Sequence, residues 1–489
     1  MIGSANVWRN SLGWGAHSAI FSALLLGLII ALAPSGWIAI LILGGMVFVA
    51  TLLRPQVGVL LLVPAIPFGS VRQVTVGVMS LGLAEVLLAL VLAAWLMRLI
   101  ALRESRVVIP PLVVPLFIFL AVICLSALGS ASLQHGIKEV LKWVEFLALY
   151  VLVANEMRGP WQKALIFAVL GTGALVALQG IYQFWFQVGP DPFILFGRFM
   201  RAHGSFKQPN PYGGYLGLIL PVATGLLLAG LLRVRGSLRW RWVVWAGGCG
   251  VLMLAAIIMS WSRGAWLGFG AGLLVMALAV VVHSGRAAVL AVVLGALLVY
   301  ALLSGGLARL PMSIVQRFSD FLPYLGVMDV RGAEVTDANF AVLERMAHWQ
   351  SALAMWTERP WLGVGIGNYE VVYARYALPL WGVPLGHAHN YYLNVAAEAG
   401  ALGLFAYLFL WGTALVSVWR SLWRTLDWQW GVALGVLGIL VHLGIHNLFD
   451  NLYVHGIYLH LAILLGVIGS YAGKRNPARN RPALGAVVE

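Results

Sequence analysis

Thirteen stretches of about twenty consecutive apolar residues constrain this chain more than any other feature. An α-helix rises about 1.5 Å per residue, so about 20 apolar residues cross the roughly 30 Å hydrocarbon core of a bilayer. The composition agrees, because 61% of the 489 residues are hydrophobic and only 10% are charged, whereas soluble domains are about 25% charged. The stretches are 17–34, 36–53, 81–102, 111–128, 139–154, 162–187, 211–232, 240–260, 264–282, 286–303, 391–418, 429–447 and 455–472.

A shorter apolar stretch at 56–68 contains Pro64 and Pro67, which favours a re-entrant segment. The first stretch, 17–34, is expected to stay as an anchor, because no small-residue cleavage site precedes the next one. We therefore expect an all-α polytopic membrane protein with about 12–14 transmembrane helices. Soluble enzymes, nucleic-acid-binding proteins and disulfide-stapled secreted domains are excluded, and Cys124 and Cys249 both lie in apolar stretches where no disulfide is expected.

Basic residues fall mainly on one side of this topology. If all fourteen stretches cross, 18 of the 31 lysines and arginines lie in loops on one side, 7 on the other and 6 in one long loop. Short cytoplasmic loops are rich in Lys and Arg, and long loops escape this rule. The bias accounts for the net charge of +14 without a nucleic-acid partner, and it predicts that both termini are cytoplasmic.

One connection, residues 304–390, is far longer than the others and is expected on the external face. Long ordered loops are commonly functional. A stripe of apolar residues predicts a surface helix at 339–357; the stripe is Val342, Met346, Trp349, Leu353 and Trp356. The predicted segments are N-terminal transmembrane helices (1–190), transmembrane helices carrying Arg motifs (191–303), the large periplasmic loop with short helices (304–390), C-terminal transmembrane helices (391–472) and a basic cytoplasmic tail (473–489).

Polar residues kept near membrane depth are the candidates for function, because a central charge costs at least ~2.5 kcal/mol on insertion scales. Five clusters fall on the external side of the predicted topology, whereas motifs scattered at random would divide between the two faces. They are Arg201–Asn210 with Lys207, Ser262-Arg263-Gly264, Arg345 and His348 ahead of Pro360–Asn368, His387-Ala-His389-Asn390 with Glu398, and His442, His446 and Asp450. Their position on one face indicates a single external site.

The residue types in these clusters suit an anionic ligand such as phosphate, carboxylate or diphosphate. Arginine gives planar, bidentate and permanently charged recognition of phosphate, and a histidine with a pKa near ~6.5 exchanges protons near neutrality. A diphosphate leaving group needs charge stabilisation more than protonation. His442, His446 and Asp450 are spaced so that they could bind zinc, but a polar girdle supporting the site is favoured, and we expect no metal and no cofactor.

Each feature also has a structural alternative. A single arginine at a helix end is commonly a head-group anchor, and a single histidine such as His389 is commonly an interfacial residue. Four residues at i,i+3 and i,i+4 spacing predict ion pairs along one helix face; these are Lys138, Glu139, Lys142 and Glu145. The glycines 363, 365 and 367 lack the spacing of a dinucleotide fingerprint, and the sequence has no Walker motif.

Taken in order along the chain, these motifs resemble the O-antigen ligase/polymerase superfamily of bacterial membrane glycosyltransferases. His389-Asn-Tyr-Tyr-Leu393 with Glu398-Ala-Gly400 resembles the family's His-Asn-x-x-Leu…Glu-x-Gly signature, and His446…Phe449-Asp450 resembles its late His-x-x-Phe-Asp element. The other matches are Arg201…Gly204-Ser-Phe…Asn210, Ser262-Arg263-Gly264, Arg345-x-x-x-Trp349 and Pro360-x-x-Gly-x-Gly365…Asn368. Together they cover roughly residues 200–450.

The resemblance implies a GT-C-like fold and a metal-independent, inverting sugar transfer on the periplasmic face of the bacterial inner membrane. The donor would be a glycan on undecaprenyl diphosphate, and the acceptor a glycan or a lipid. Carried over, Arg201, Arg263 and Arg345 would contact the diphosphate, and His389 would activate or orient the acceptor hydroxyl. The expected substrate-binding or supporting residues are Lys207, Asn210, His387, Asn390, Glu398, His446 and Asp450, with Arg331, Arg359 and Arg375 as competitors for the diphosphate.

Several functions stay open on the sequence. A ligase hands a finished glycan to a lipid core, whereas a polymerase joins repeat units, and both share this pattern. Polymerases carry an Arg-x(15)-Gly element, which Arg201…Gly217 fits, but Arg263 and Arg345 lack it, and this favours a ligase. A flippase for lipid-linked glycans would show internal repeats and charges on both faces, and a scaffold without chemistry leaves the Arg and His clusters unexplained.

Overall fold

The computed structural model describes residues 35–69, 74–76, 79–101, 103, 107–234, 236–283, 329–336 and 339–472. The predicted stretches at 17–34 and 286–303, residues 304–328 of the long loop and the tail at 473–489 lie outside these residues. Within them the chain is helical apart from two short antiparallel hairpins, which pair Val74–Val76 (β1) with Met79–Leu81 (β2) and Ile194–Leu195 (β3) with Phe199–Met200 (β4). The predicted all-α class is confirmed.

The helices follow the apolar stretches closely, because a backbone in hydrocarbon must satisfy its polar groups within its own helix or a closed barrel. Each predicted stretch among the described residues lies on a helix whose ends differ by a few residues, except that the stretch 211–232 is divided between two helices. In chain order the helices are α1 Ser35–Leu53, α2 Pro55–Gly69, α3 Leu83–Ala101, α4 Val113–Leu128, α5 Leu133–Glu156, α6 Pro160–Trp185, α7 Pro209–Gly217, α8 Leu220–Leu232, α9 Ser237–Met259, α10 Arg263–His283, α11 Phe340–Glu358, α12 Tyr369–Val372, α13 Tyr391–Leu422, α14 Asp427–His446 and α15 Ile457–Gly469.

Seven candidate spans are found among the described residues, with α7 and α8 forming one of them. The others are α3, α6, α9, α10, α13 and α14, and shorter apolar helices lie at Ile42–Leu53, Pro55–Gly69, Val113–Leu128 and Ile457–Gly469. Helix α2 has 15 residues with Pro64 and Pro67 inside it, so it is about 22 Å long and too short to cross a bilayer of about 30 Å. This length agrees with the re-entrant segment expected there.

Helix α14 lies at the centre of the C-terminal half, where small residues let helix backbones approach closely. A Cβ at Gly431 or Gly435 would overlap the backbone of α8 at Gly225 or Val222, and a Cβ at Gly438 would lie close to Met276 of α10. Backbone contact of this kind fixes α14 between α8 and α10. It therefore fixes the position of His446, the last residue of α14, relative to α8 and α10.

Helix α13 is kinked at Gly400, whose φ of 67° and ψ of −167° are not helical. The kink opens the helical hydrogen-bond ladder, in which Ala401 N–H would bond Ala397 O and Leu402 N–H would bond Glu398 O. Instead Ala401 N–H donates to Pro360 O (2.8 Å), and Leu402 N–H donates to Trp361 O (3.3 Å). The opened turn of the helix is therefore completed by another part of the chain.

The segment that fills the kink is the glycine-rich loop, which we define as residues 360–368. Val364 N–H donates to Ala397 O (2.9 Å), and Gly365 N–H donates to Glu398 O (3.0 Å). Four hydrogen bonds between loop and helix thus replace two within the helix, and side chains at Gly363 or Gly400 would overlap the opposite backbone. The glycines 363, 365 and 367 accordingly have positive φ angles and act in packing.

Helix α11, Phe340–Glu358, confirms the helix predicted at 339–357, but the predicted apolar stripe is only partly correct. Met346 is buried as expected, whereas Leu353 is exposed. The buried face instead carries small residues, Ala347, Ser351 and Ala352, together with His348. Helix α11 packs against α13, and small side chains permit this close approach. The helix is therefore docked on the bundle and is not simply lying on a lipid surface.

We expect Gly400→Ala to destabilise the protein strongly. Its backbone occupies a region of φ and ψ used almost only by glycine, which costs about 1–3 kcal/mol for other residues, and the new methyl group would overlap the Trp361 carbonyl. Thermal unfolding in detergent, followed by tryptophan fluorescence, measures the effect. Gly412→Ala is the matched control on the same helix, because no atom of the described residues lies within 4 Å of the Cβ that alanine adds. Equal melting temperatures for both variants would contradict the function assigned to the kink.

Candidate active site

Two segments that are far apart in sequence converge on one largely buried polar cluster, which we call the histidine cluster: His387, His389, His446 and Asp450. His387 and His389 precede α13, His446 is the last residue of α14, and Asp450 lies in the turn after it. The backbone joins the two segments, because Tyr391 N–H donates to Asn447 O (2.8 Å). The close packing of α14 and the start of α13 therefore bring these side chains together.

His389 is held in a strained and poorly satisfied position. Its φ is +52°, a left-handed conformation that costs a non-glycine residue energy and is concentrated at functional sites. Both ring nitrogens are buried without a hydrogen-bond partner among the described residues, although its Nδ1 lies 3.9 Å from Asp450 Oδ1. A buried ring with two unsatisfied nitrogens is suited to receive a ligand.

The tautomer of His387 follows from its contacts. Its Nδ1 accepts a hydrogen bond from the backbone N–H of His389 (3.0 Å), so the proton of the neutral ring lies on Nε2. That nitrogen lies 3.7 Å from Asp450 Oδ1, and the two imidazole rings are 4.4 Å apart. His387 therefore directs its N–H toward Asp450 and supports the backbone of His389.

The environment keeps the histidines neutral and the aspartate ionised. Burial, followed by the neighbouring His387, lowers the pKa of His389 to about 3. Burial alone would raise the pKa of the Asp450 carboxyl, but the interactions with His387, His389 and His446 and with the permanent positive charge of Arg345 outweigh burial and lower that pKa. His389 is therefore a neutral imidazole, in which one ring nitrogen can still accept a proton. The negative charge of Asp450 beside it would stabilise a proton delivered to that nitrogen.

Helix α11 supplies Arg345 and encloses His389. Arg345 is near enough to lower the pKa values of His387 and His389, and its Nε is buried with no partner among the residues that the structure describes. One turn further on, Trp349 Nε1–H donates to His389 O (3.4 Å). Arg345 thus brings a spare donor and a permanent positive charge to the cluster.

Arg201 and Arg263 come from two segments that approach the cluster, and with Arg345 they form what we call the arginine wall. Arg201 Nε–H donates to Ser260 O (2.9 Å), and its Nη2–H donates to Asn210 Oδ1 (2.9 Å), so Asn210 positions Arg201. Arg263 begins α10, and the next residue, Gly264, lies against the His446 ring, with 3.5 Å from its Cβ position to the ring. The two predicted upstream motifs therefore meet each other and border the histidine cluster through His446.

His442 and His446 do not form the hydrogen-bonded girdle that was expected. The His446 ring nitrogens have no partner among the described residues, and the His442 ring packs against Gly217 and Gly268. His442 and His446 are one helical turn apart, as are Gly264 and Gly268 on α10. The two rings therefore fill a groove of small residues, and His446 reaches the site at its end.

Three other predicted residues have positions that favour supporting functions. Glu398 is buried, and its carboxylate accepts a hydrogen bond from Tyr369 N–H (2.9 Å), which ties α13 to the end of the glycine-rich loop. Asn390 caps α13, because its side chain accepts from Leu393 N–H (3.1 Å). Lys207 is exposed, with a φ of +59°. The predicted contacts of these residues with substrate stay predictions.

The three competing arginines make other contacts in the described part of the chain. Arg331 and Arg375 are exposed and pair with Asp329 (3.5 Å) and Glu358 (2.8 Å). Arg359 Nη1–H donates to Gly129 O (3.1 Å). These contacts serve loop structure, whereas the Nε of Arg345 is unused.

Sequence reasoning missed Tyr369, which links the glycine-rich loop to the site. The hydroxyl of Tyr369 donates to His348 O (3.1 Å) and lies 2.9 Å from His348 Nδ1, so that Nδ1 carries the proton. The rings of His348 and His389 are 5.7 Å apart. Tyr369 directly follows Asn368, the last residue of a motif, and this adjacency was the available signal.

The spacing of His387, His389 and Asp450 would allow a metal ion, since one ligand atom from each lies within 4.8 Å of the others. The donor chemistry does not fit. Metal-bound histidines normally donate a hydrogen bond from their second ring nitrogen, but His387 Nδ1 accepts one, so its Nε2 carries the proton and offers no lone pair. Arg345 adds an unfavourable positive charge. We therefore derive no metal-dependent step.

Comparison with known protein families adds one finding. Residues 248–408, about a third of the chain, match the family model described as O-antigen ligase. The matched region includes Arg263, Arg345, His389 and the glycine-rich loop, whereas Arg201, His446 and Asp450 lie outside it. No curated protein matches the chain.

We expect the thermal stability of the purified protein to fall as the pH drops from 6.5 toward 4. The pKa values of His348 and His389 in the folded protein are about 4 and about 3, below the roughly 6.5 of an unfolded histidine. Unfolding therefore takes up protons in this range, and the stabilisation present above pH 6.5 is lost on acidification.

Melting temperatures across this pH range measure the effect. His348→Asn should make the dependence shallower, whereas His135→Asn, at a half-buried histidine next to Ser132, should leave it unchanged. A melting temperature that is constant or rises on acidification would contradict the neutral state assigned to these rings.

Proposed function

We propose that this chain is a metal-independent, inverting glycosyltransferase of the O-antigen ligase/polymerase superfamily, and the match of residues 248–408 to the O-antigen ligase family model supports the proposal. The reaction moves a glycan from undecaprenyl diphosphate to an acceptor hydroxyl on the periplasmic face of the bacterial inner membrane. The observation that carries the proposal is the neutral His389 ring, unpartnered and buried between Asp450 and Arg345. The apolar helices agree with a membrane-embedded lipid donor.

The arginines would stabilise the departing diphosphate. When the bond from the anomeric carbon to the phosphate oxygen breaks, negative charge grows on the diphosphate, and Arg guanidinium groups stabilise it without protonation. Arg345 has an unused Nε–H for this purpose. Arg201 is held in place by Asn210 and the Ser260 carbonyl, which lowers the entropy lost on binding.

His389 would receive the proton of the acceptor hydroxyl. The acceptor oxygen forms the new bond to the anomeric carbon from the side opposite the diphosphate, so one displacement inverts the configuration. The proton passes to an unprotonated His389 nitrogen, and Asp450 stabilises the resulting imidazolium. A pKa of about 3 describes the unliganded site, and a diphosphate anion nearby raises it toward the range that general bases use.

A ligase is favoured over a polymerase. The polymerase element Arg-x(15)-Gly is matched here by Arg201…Gly217, but Gly217 has a packing function, because a Cβ there would overlap the His442 ring. The glycine is thus explained without a polymerase. A polymerase of the same superfamily is the alternative function.

We expect chromosomal His389→Ala to abolish transfer while the protein inserts at a normal level. Mass spectrometry of host lipids should show accumulation of undecaprenyl-diphosphate glycan and loss of the surface product. A single repeat unit on the accumulated donor identifies a polymerase, and a full-length chain identifies a ligase. His135→Ala is the matched control at another histidine. Normal surface glycan in His389→Ala would exclude the catalytic function of this residue.

The function proposed for Arg345 predicts that its loss slows transfer, because the departing diphosphate is less well stabilised. Arg345→Ala should lower transfer at least about 100-fold, since a charge-assisted contact to the leaving group contributes about 2.7–4 kcal/mol to such steps, and Arg345→Lys should restore only part of it. Transfer assays in nanodiscs measure this, with Arg375→Ala as the control at an exposed ion pair. Equal losses in both variants would contradict a specific function of Arg345.

Metal independence is tested by chelation. Dialysis against EDTA should leave the transfer rate of the purified enzyme unchanged, because the His387 tautomer is unsuited to a metal ligand. Loss of transfer that returns with added divalent cation would overturn this part of the proposal.

A further inference from the structure

A cavity of about 490 Å³ adjoins the histidine cluster and shares His387 and Asp450 with it. Its walls come from the start of α3, from α5, from the start of α7, from the segment between α14 and α15 together with the start of α15, and from Glu370, Leu385 and Gly386. Arg201, Arg263, Arg345 and His389 are not among the described residues that line it. The cavity is therefore a second compartment, and it meets the reaction centre at His387 and Asp450.

The charge of this cavity is opposite to that of the arginine wall. Among the described residues, two lysines line it, Lys138 and Lys142, whereas five carboxylates do so: Glu85, Glu139, Glu145, Glu370 and Asp450. One of the lysines, Lys142, already pairs with Glu139, as the spacing on α5 predicted. The excess negative charge disfavours a phosphorylated ligand. Carboxylates accept hydrogen bonds from hydroxyl and amino groups, so the lining favours ligands rich in such donors.

The cavity also has the mixed lining that sugar rings require. Tyr453, Tyr458 and Val454 provide apolar and aromatic surface beside the carboxylates, and the hydroxyl of Tyr458 donates to Glu145. A sugar ring presents C–H groups on its faces and hydroxyl groups at its edge, so it can pack on an aromatic side chain while its hydroxyls bond polar groups.

Asp450 connects the cavity to the reaction centre. Its side chain is 9% exposed. The Oδ1 atom accepts from Asn451 N–H (2.8 Å) and faces His387 and His389, whereas no hydrogen bond to Oδ2 is found among the described residues. A carboxylate with free acceptor capacity, on the wall that the cavity shares with the histidine cluster, is suited to hold a hydroxyl group of a bound sugar.

We propose that this cavity is the acceptor subsite, and that it takes a neutral or amino-bearing sugar and discriminates against phosphorylated ones. The inference rests on the proposed transfer reaction. An inverting displacement needs the acceptor and the leaving group on opposite faces of the anomeric carbon. If the arginine wall holds the diphosphate, the acceptor must enter from another compartment beside the reaction centre. The carboxylate-lined cavity is such a compartment, because it meets the reaction centre at His387 and Asp450.

The test uses glycan fragments released from the host surface by mild acid and separated by anion exchange into neutral and phosphate-bearing fractions. The purified full-length protein in nanodiscs should bind the neutral fraction, and Glu85→Gln/Glu370→Gln should weaken this binding at least about tenfold, since two charge-assisted contacts are lost. Gln keeps the oxygen by which Glu85 accepts from Gly82 N–H, which protects the fold. Glu334→Gln, the same change at an exposed residue of the external loop that does not line the cavity, should bind normally.

Two results would overturn the acceptor subsite: unchanged binding in the double variant, or tighter binding of the phosphate-bearing fraction by the wild type. His389→Ala separates this proposal from the reaction, because it should retain glycan binding while losing transfer. If His389→Ala transfers sugar normally, the proposed chemistry is wrong. If His389→Ala is inactive but the double variant binds normally, only the cavity assignment is wrong.

Discussion

The backbone pairing between the kinked helix α13 and the glycine-rich loop supports the rest of the site. Gly400 opens one turn of a membrane helix, and the freed N–H and C=O groups must find partners, because an unsatisfied group in hydrocarbon costs several kcal/mol. The loop provides them at Pro360, Trp361, Val364 and Gly365. Ser126 of α4 also joins the loop to the kinked helix. Its hydroxyl lies within hydrogen-bond distance of Leu362 O and Glu398 O and accepts from Ile366 N–H. A long loop is thereby fixed to a helix that is long and apolar enough to cross a membrane.

The pairing of α13 with the glycine-rich loop is connected to His389 by a short series of hydrogen bonds. Glu398 holds Tyr369 N–H, and the Tyr369 hydroxyl holds His348. Helix α11, which carries His348, also carries Arg345 and Trp349, and the Trp349 indole bonds the backbone of His389. A series of single hydrogen bonds thus connects α13, the residue after the glycine-rich loop, α11 and the backbone of His389. Glu398, which stands in the sequence motif next to His389, therefore contributes by positioning the loop.

The sequence predicts the helices of this protein well and the kink poorly, for a physical reason. Apolar stretches must form helices in a bilayer, so hydropathy locates them, as it does for α6 and α14. The kink depends on a partner about 35 residues away, and Gly400 itself looks like any other glycine in a chain with 56 of them.

The same limit applies to the site. Arg345 and His389 are brought together by α11 packing on α13, which no local pattern encodes, and the stripe predicted for α11 misjudged Leu353 because the docked face is built from small residues.

The placement of charge around His389 matches the charges that the proposed sugar transfer would create. In that reaction, the proton of the attacking acceptor hydroxyl would add positive charge to His389, while negative charge would grow on the departing diphosphate. Asp450 lies near the first charge, and the arginine wall is positioned for the second. Because these groups are fixed by the fold before substrate binds, little reorganisation is needed during the reaction. The same division explains why the cluster holds a neutral ring: a histidine already protonated could stabilise the diphosphate but could not accept the proton, so burial and Arg345 keep it available.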